Sequence, residues 1–151
     1  MTAPSSCHAI LELVGDNLDP DKLRKLFSIK PKLARRKGDE QRRRPGRPTA
    51  FARTGYCGFS TLAHVSSDNI NDHLEFLINE ITRNFDRIQA IVMADKLTWQ
   101  MVCFFDLPPA GPKSILRNSV VARASQMGIG IEIDTGDDAV TFVVDGLPAG
   151  R

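Results

Sequence analysis

The chain lacks the features that hold small secreted or membrane proteins together. It has only three cysteines, Cys7, Cys57 and Cys103, odd in number, far apart and without CxxC spacing. That pattern excludes a disulfide framework and fits buried thiols in a reducing compartment. No apolar run approaches the roughly 20 residues that a membrane span needs. Met1 to Ser6 do not lead a basic stretch into an apolar one, as a signal peptide would. A cytoplasmic location with no membrane association is therefore expected.

Recognisable chemistry is also missing. The histidines His8, His64 and His73 form no HxxxH or HExxH pattern, so nothing sets metal ligands on one helix face. No Gly-x-Ser-x-Gly elbow occurs. The glycines of GIGIE, residues 128 to 132, enter a strand where a phosphate loop needs a helix to follow. Asp134, Asp137 and Asp138 lack the ligand spacing and closing glutamate of a calcium loop and read as a polar turn. A reactive thiolate needs a nearby cation, and only Cys57, four residues after Arg53, comes near that condition. Buried core thiols are the expectation for all three. No catalytic residue, metal site or cofactor is expected.

What is present is ordinary for a globular domain: 151 residues, 42% apolar and 25% charged, enough chain to bury a sizeable core without staples. One domain is expected over residues 7–145, with loose termini at 1–6 and 146–151. Charge is the exception. The net charge is +2, yet Lys30 to Arg53 holds ten basic residues against Asp39 and Glu40. That segment carries +8 and leaves −6 for the rest. A near-neutral total hides an acidic body with a basic segment.

Periodicity supplies the elements. Cys7 to Val14 alternates as a strand. Asp19 and Pro20 open a short helix as N-cap and first residue, with Leu23, Leu26 and Phe27 on its apolar side. Lys32 to Thr54, rich in Pro and Gly and without apolar period, reads as a long basic loop at about 30–54. Gly55 to Leu62 is a second strand in which Gly58 marks a bulge or a close backbone approach. Ile70, Leu74, Leu77, Ile78, Ile81, Phe85 and Ile88 predict one long helix over about 69–91, capped by Ser67 or Asp68. Leu97 to Leu107 is a third strand whose Val102 and Phe104 imply a partly covered second face. Ser114 to Met127 is a second long helix stopped by Gly128. Ile129, Ile131 and Ile133 mark a fourth strand, and Val140 to Val144 an edge strand. The expected fold is α+β: a two-layer sandwich of a mostly antiparallel four- to five-stranded sheet with two long helices on one face and one short helix.

Three stretches carry a family resemblance. They are LELVGDNLDPDKLRKLFSIKPKLARRKGD (11 to 39), TGYCGFSTLAHVSSDNINDHLEFLINEI (54 to 81) and IEIDTGD (131 to 137). Together they resemble the bacterial domain-of-unknown-function family 4279, over residues 7 to 137. The matching positions are Gly15, Leu18, Asp19, Pro20, Ile29, Pro31, Lys37, Gly38, Thr54, Gly55, His73 and Leu74. The family commonly has a tryptophan after its Thr-Gly pair, where this chain has Tyr56, and its basic segment is shorter than Arg42 to Arg53 here. The resemblance implies the fold and a bacterial origin, and it transfers no catalytic residue.

Three functional expectations follow. The first is a non-catalytic binding or interaction module, immunity-like or regulatory, that meets a protein partner or itself through an open sheet face or an edge strand. The second is nucleic-acid binding by the basic segment, with Arg35, Arg36, Lys37, Arg42, Arg43, Arg44, Arg47 and Arg53 as anion contacts. Its Gly46-Arg47-Pro48 core resembles part of an AT-hook, although Pro45 stands where that motif has an arginine. The third is an enzyme site assembled from Tyr56, Cys57, His73 or Asp134 in a deep pocket.

Overall fold

The computed structural model describes residues 7–41, 45–46, 50–104, 116–134 and 141–144, the last for the backbone alone. The elements run β1 (His8–Gly15), α1 (Pro20–Arg24), β2 (Leu33–Arg35), β3 (Glu40–Gln41), β4 (Ala50–Phe51), β5 (Gly55–Ser60), α2 (Ile70–Thr82), α3 (Phe85–Ala94), β6 (Thr98–Phe104), α4 (Asn118–Met127), β7 (Gly130–Asp134) and β8 (Thr141–Val144).

Alternation along β1 organises the sheet. Ala9, Leu11 and Leu13 are fully buried, while His8, Ile10, Glu12 and Val14 stand on the other face. β1 pairs antiparallel with β5 on one side and β6 on the other, and the six-stranded order is β2-β5-β1-β6-β7-β8. Among the described strands only β6 and β7 run parallel, joined through α4, so the sheet is mostly antiparallel as expected. Cys57 and Phe59, Met101 and Cys103, and Ile131 and Ile133 continue the buried face of β1. They share one core with Leu23 of α1, Leu74, Leu77, Ile78 and Ile81 of α2, Ile88 of α3, and Val120 and Ala124 of α4.

The expected main strands form the sheet, with the three-residue β2 added as a sixth at the edge of β5, and a separate two-stranded ladder joins β3 to β4. The structure corrects the sequence reading in three places. The helix expected over about 69–91 is two helices, divided at Asn84. The Asn84 backbone leaves helical geometry (φ −136°, ψ 36°) while its side-chain amide donates to the Leu26 carbonyl at 2.9 Å. The apolar period crosses this break undisturbed, which hides it from periodicity. The cap of α2 is Asn69, not Ser67 or Asp68; Ser67 instead accepts from the Asn69 N–H and donates to Asp72. Finally, the stretch read as one long loop carries β2, β3 and β4. Strands of two or three residues are too short to show a period, and β2 forms because the edge of β5 offers it a ladder.

Asp19 and Pro20 start α1 as expected, and Gly128 (φ 74°) closes α4. β8 is the edge strand beyond β7. The turn expected at Thr135 to Asp138, residues 105–115 and the loose termini at 1–6 and 146–151 lie outside the described residues. Among the described residues no helix is long and apolar enough to cross a membrane.

Candidate functional site

The face of the sheet opposite the main core carries a row of polar side chains across five strands. Arg35 of β2 faces Tyr56 of β5, with its guanidinium carbon 5.2 Å from the ring centroid. The Tyr56 hydroxyl donates to Glu12 Oε2 at 2.7 Å. The Gln100 amide donates to Glu12 Oε1 at 3.2 Å and to Glu132 at 3.3 Å. Tyr56 is registered opposite Val14, so its ring must lie diagonally over Gly58 to reach Glu12. Gly58 therefore marks a close approach, made by a side chain rather than by a backbone. Burial and the adjacent Glu12 carboxylate push the Tyr56 phenol well above its ordinary range, which keeps it a neutral donor.

The basic segment begins at this row. A turn from Arg36 to Asp39 follows β2, closed by the Asp39 N–H on the Arg36 carbonyl at 3.1 Å, with Gly38 at φ 89°. Glycine suits that position because other side chains resist positive φ. The Gly38 N–H donates to Ala52 and the Ala52 N–H to Asp39, each at 2.8 Å, which ties the base of the β3–β4 arm together. Arg36 reaches Asp19 at 2.7 Å and Asp21 at 2.8 Å, and Lys37 reaches Asp16 at 3.2 Å. The Asp16 carboxyl is held below its usual range by hydrogen bonds from Thr54 and Lys37. Burial nudges the Asp19 carboxyl upward, but the Asp21 N–H and Arg36 outweigh it and leave the carboxyl below that range.

The two ends of the segment converge. Arg35, Gln41, Ala50, Phe51, Arg53 and Thr54 line a cleft of about 440 Å³. Ala52, between Phe51 and Arg53, is buried, while the residues on either side of it both line the cleft. Phe51 is 60% exposed. The Nε of Arg35 is buried and meets no acceptor among the described residues. A larger depression of about 540 Å³ is walled by Arg24 and Phe27 to Pro31, nearly one continuous stretch. Its Ser28 is already held by Glu80 at 2.7–2.9 Å.

Of the eight basic residues named from sequence, the fold brings Arg35 and Arg53 together and turns Arg36 and Lys37 toward acids near α1. Arg42, Arg43, Arg44 and Arg47 lie outside the described residues. Gln41, Phe51 and Thr54 were not anticipated, because only pairing of β3 with β4 carries them to the cleft. The four residues proposed for an enzyme site do not meet. Cys57 and His73 belong to the buried side, while Tyr56 and Asp134 stand on the opposite face of the sheet. Burial pushes the Cys57 thiol up to about 11, away from thiolate chemistry.

His73 is fully buried. Its Nε2 lies 2.8 Å from the Ser67 carbonyl, which can only accept, so Nε2 carries the proton. Its Nδ1 lies 2.6 Å from the Thr61 hydroxyl, whose oxygen also accepts from the Ala9 N–H at 3.0 Å. The ring pins β1, the end of β5 and α2 to one another. Among the described residues no group of three His, Cys, Asp or Glu is arranged to hold a metal ion.

The chain belongs to the family Domain of unknown function (DUF4279), whose model matches residues 5–138. No curated protein and no solved structure matches it.

Proposed function

We propose that this DUF4279 member is a non-catalytic binding module that takes an anionic ligand in the cleft between β2 and the β3–β4 arm. One observation supports the reading: Arg35 of β2 and Arg53, on the approach to β5, line one cleft, and the buried Nε of Arg35 meets no acceptor among the described residues. An unsatisfied buried donor is costly, which favours a shift of the Arg35 side chain toward an arriving anion. The −6 carried outside the Lys30–Arg53 segment keeps anions off the rest of the molecule and directs them to this end. In this reading the protein works in a bacterial cytoplasm, where its three thiols, none of them in a disulfide, stay reduced.

Calorimetric titration with inorganic polyphosphate at low salt tests the proposal. Wild type should bind, and Arg35→Gln and Arg53→Gln should each weaken binding by about tenfold or more. Arg36→Gln, which removes a cation already engaged by Asp19 and Asp21, should change affinity by less than about twofold. No binding by wild type, or equal losses in all three variants, would refute the assignment.

A further inference from the structure

Resting on the reading of the cleft as an anion site, we propose that its ligand is a single-stranded nucleic acid, with phosphates on Arg35 and Arg53 and one base laid on the Phe51 ring. A lone exposed aromatic needs no explanation. This one is exposed and lines the same cleft as Arg35 and Arg53, a site that a bare anion would fill without it. A nucleotide uses both parts, because it joins an anion to a flat π-face, and stacking on an aromatic ring works for any base. Gln41 and Thr54 complete the lining with donors and acceptors for a sugar hydroxyl or a base edge.

The cleft also selects the form of nucleic acid. Its walls come from β2, β3, β4 and the approach to β5, and its volume of about 440 Å³ suits a unit of nucleotide size. In a duplex the base faces are already stacked on one another, so Phe51 finds none. Carboxylates of an acidic protein would engage the arginines and leave the ring without a role.

The test uses the full chain and a fluorescein-labelled oligouridylate of about ten nucleotides, a length typical of single-strand sites. Anisotropy is read at about 50 mM NaCl, where phosphate contacts are strong. Phe51→Ala should weaken oligouridylate binding about 5- to 100-fold and leave polyphosphate affinity unchanged. Phe51→Trp should restore binding, with indole fluorescence quenched by oligouridylate and not by polyphosphate. Phe51 is exposed, so both variants should keep the wild-type urea midpoint. Equal oligouridylate affinity in wild type and Phe51→Ala would overturn the proposal, as would blunt duplex RNA or poly-glutamate binding as tightly as the single strand. In those cases retained polyphosphate binding leaves the anion site standing. If wild type binds neither oligouridylate nor polyphosphate, the anion site itself falls and the nucleic-acid proposal falls with it.

Discussion

Two kinds of residue in the sheet repay attention: a glycine under a ring and thiols without water. A Cβ on Gly58 would lie 2.7 Å from the Tyr56 hydroxyl oxygen and 2.8 Å from Cε1. Gly58→Ala must therefore lift the ring and break its bond to Glu12. The cost should be about 1–3 kcal/mol by urea unfolding, and under about 1 kcal/mol in a Tyr56→Ala background. Equal costs in both backgrounds would show that the ring does not dictate glycine here. Burial raises the Cys57 and Cys7 thiols from 9.0 to about 11, and it raises Cys103 as well. The folded protein holds protons that the unfolded chain releases. This contribution to stability is whole below pH 9 and is lost as pH climbs from 9 toward 11. Urea midpoints should fall across that window, and less steeply in Cys57→Ala, whatever the smaller side chain costs at every pH. Parallel profiles for the two proteins would remove Cys57 from the account.

Among the elements, two helices end by the same device with different residues. After α4, the Gly128 N–H meets the Ser125 carbonyl and the Ile129 N–H meets the Ala124 carbonyl. After α3, the Lys96 N–H meets Met93 and the Leu97 N–H meets Val92. Both are Schellman ends, each followed by a buried apolar residue, and both need positive φ: 74° at Gly128 and 55° at Lys96. Lysine pays a steric penalty there that glycine avoids, offset in part by glycine's greater freedom when unfolded. Lys96→Gly should therefore raise stability by about 0.5–1 kcal/mol and Gly128→Ala should lower it by about 1 kcal/mol, both read by chemical denaturation. A loss in the first variant would mean that the Lys96 side chain contributes through contacts that outweigh its backbone. Of the positions that carry the family resemblance, many serve such local geometry. Asp19 and Pro20 start α1, Gly38 takes the tight turn, and a Cβ on Gly55 would meet the Gly15 carbonyl and Leu18.

For the molecule as a whole, the acidic body and basic segment touch through exposed ion pairs: Arg36 with Asp19 and Asp21, and Lys37 with Asp16. Exposed pairs contribute little and are screened by salt, whereas the core is apolar and insensitive to it. Raising NaCl from about 50 to 500 mM should thus leave the urea midpoint nearly unchanged and lower anion affinity by orders of magnitude. Denaturation and anisotropy in the same buffers check the contrast. A stability loss as steep as the binding loss would mean that the segment's charges hold the fold together rather than serve a ligand.

Sequence alone determined the main strands, the start of α1, the apolar faces of α2 and α4, the stop at Gly128 and the family, because each is written in local periodicity or in a cap. It also exposed the charge imbalance, which is a matter of counting. Only the tertiary structure decided the rest. Asn84 divides a helix because Leu26, 58 residues earlier, takes its amide, and His73 is buried because Thr61 and Ser67 close around it. The cleft exists because β2 finds an edge on β5 and the pairing of β3 with β4 brings Gln41 and Phe51 to the cleft that Arg35 and Arg53 line. Contacts between residues far apart in the chain leave no repeat for a pattern to detect, since what stabilises them is a neighbour supplied by folding.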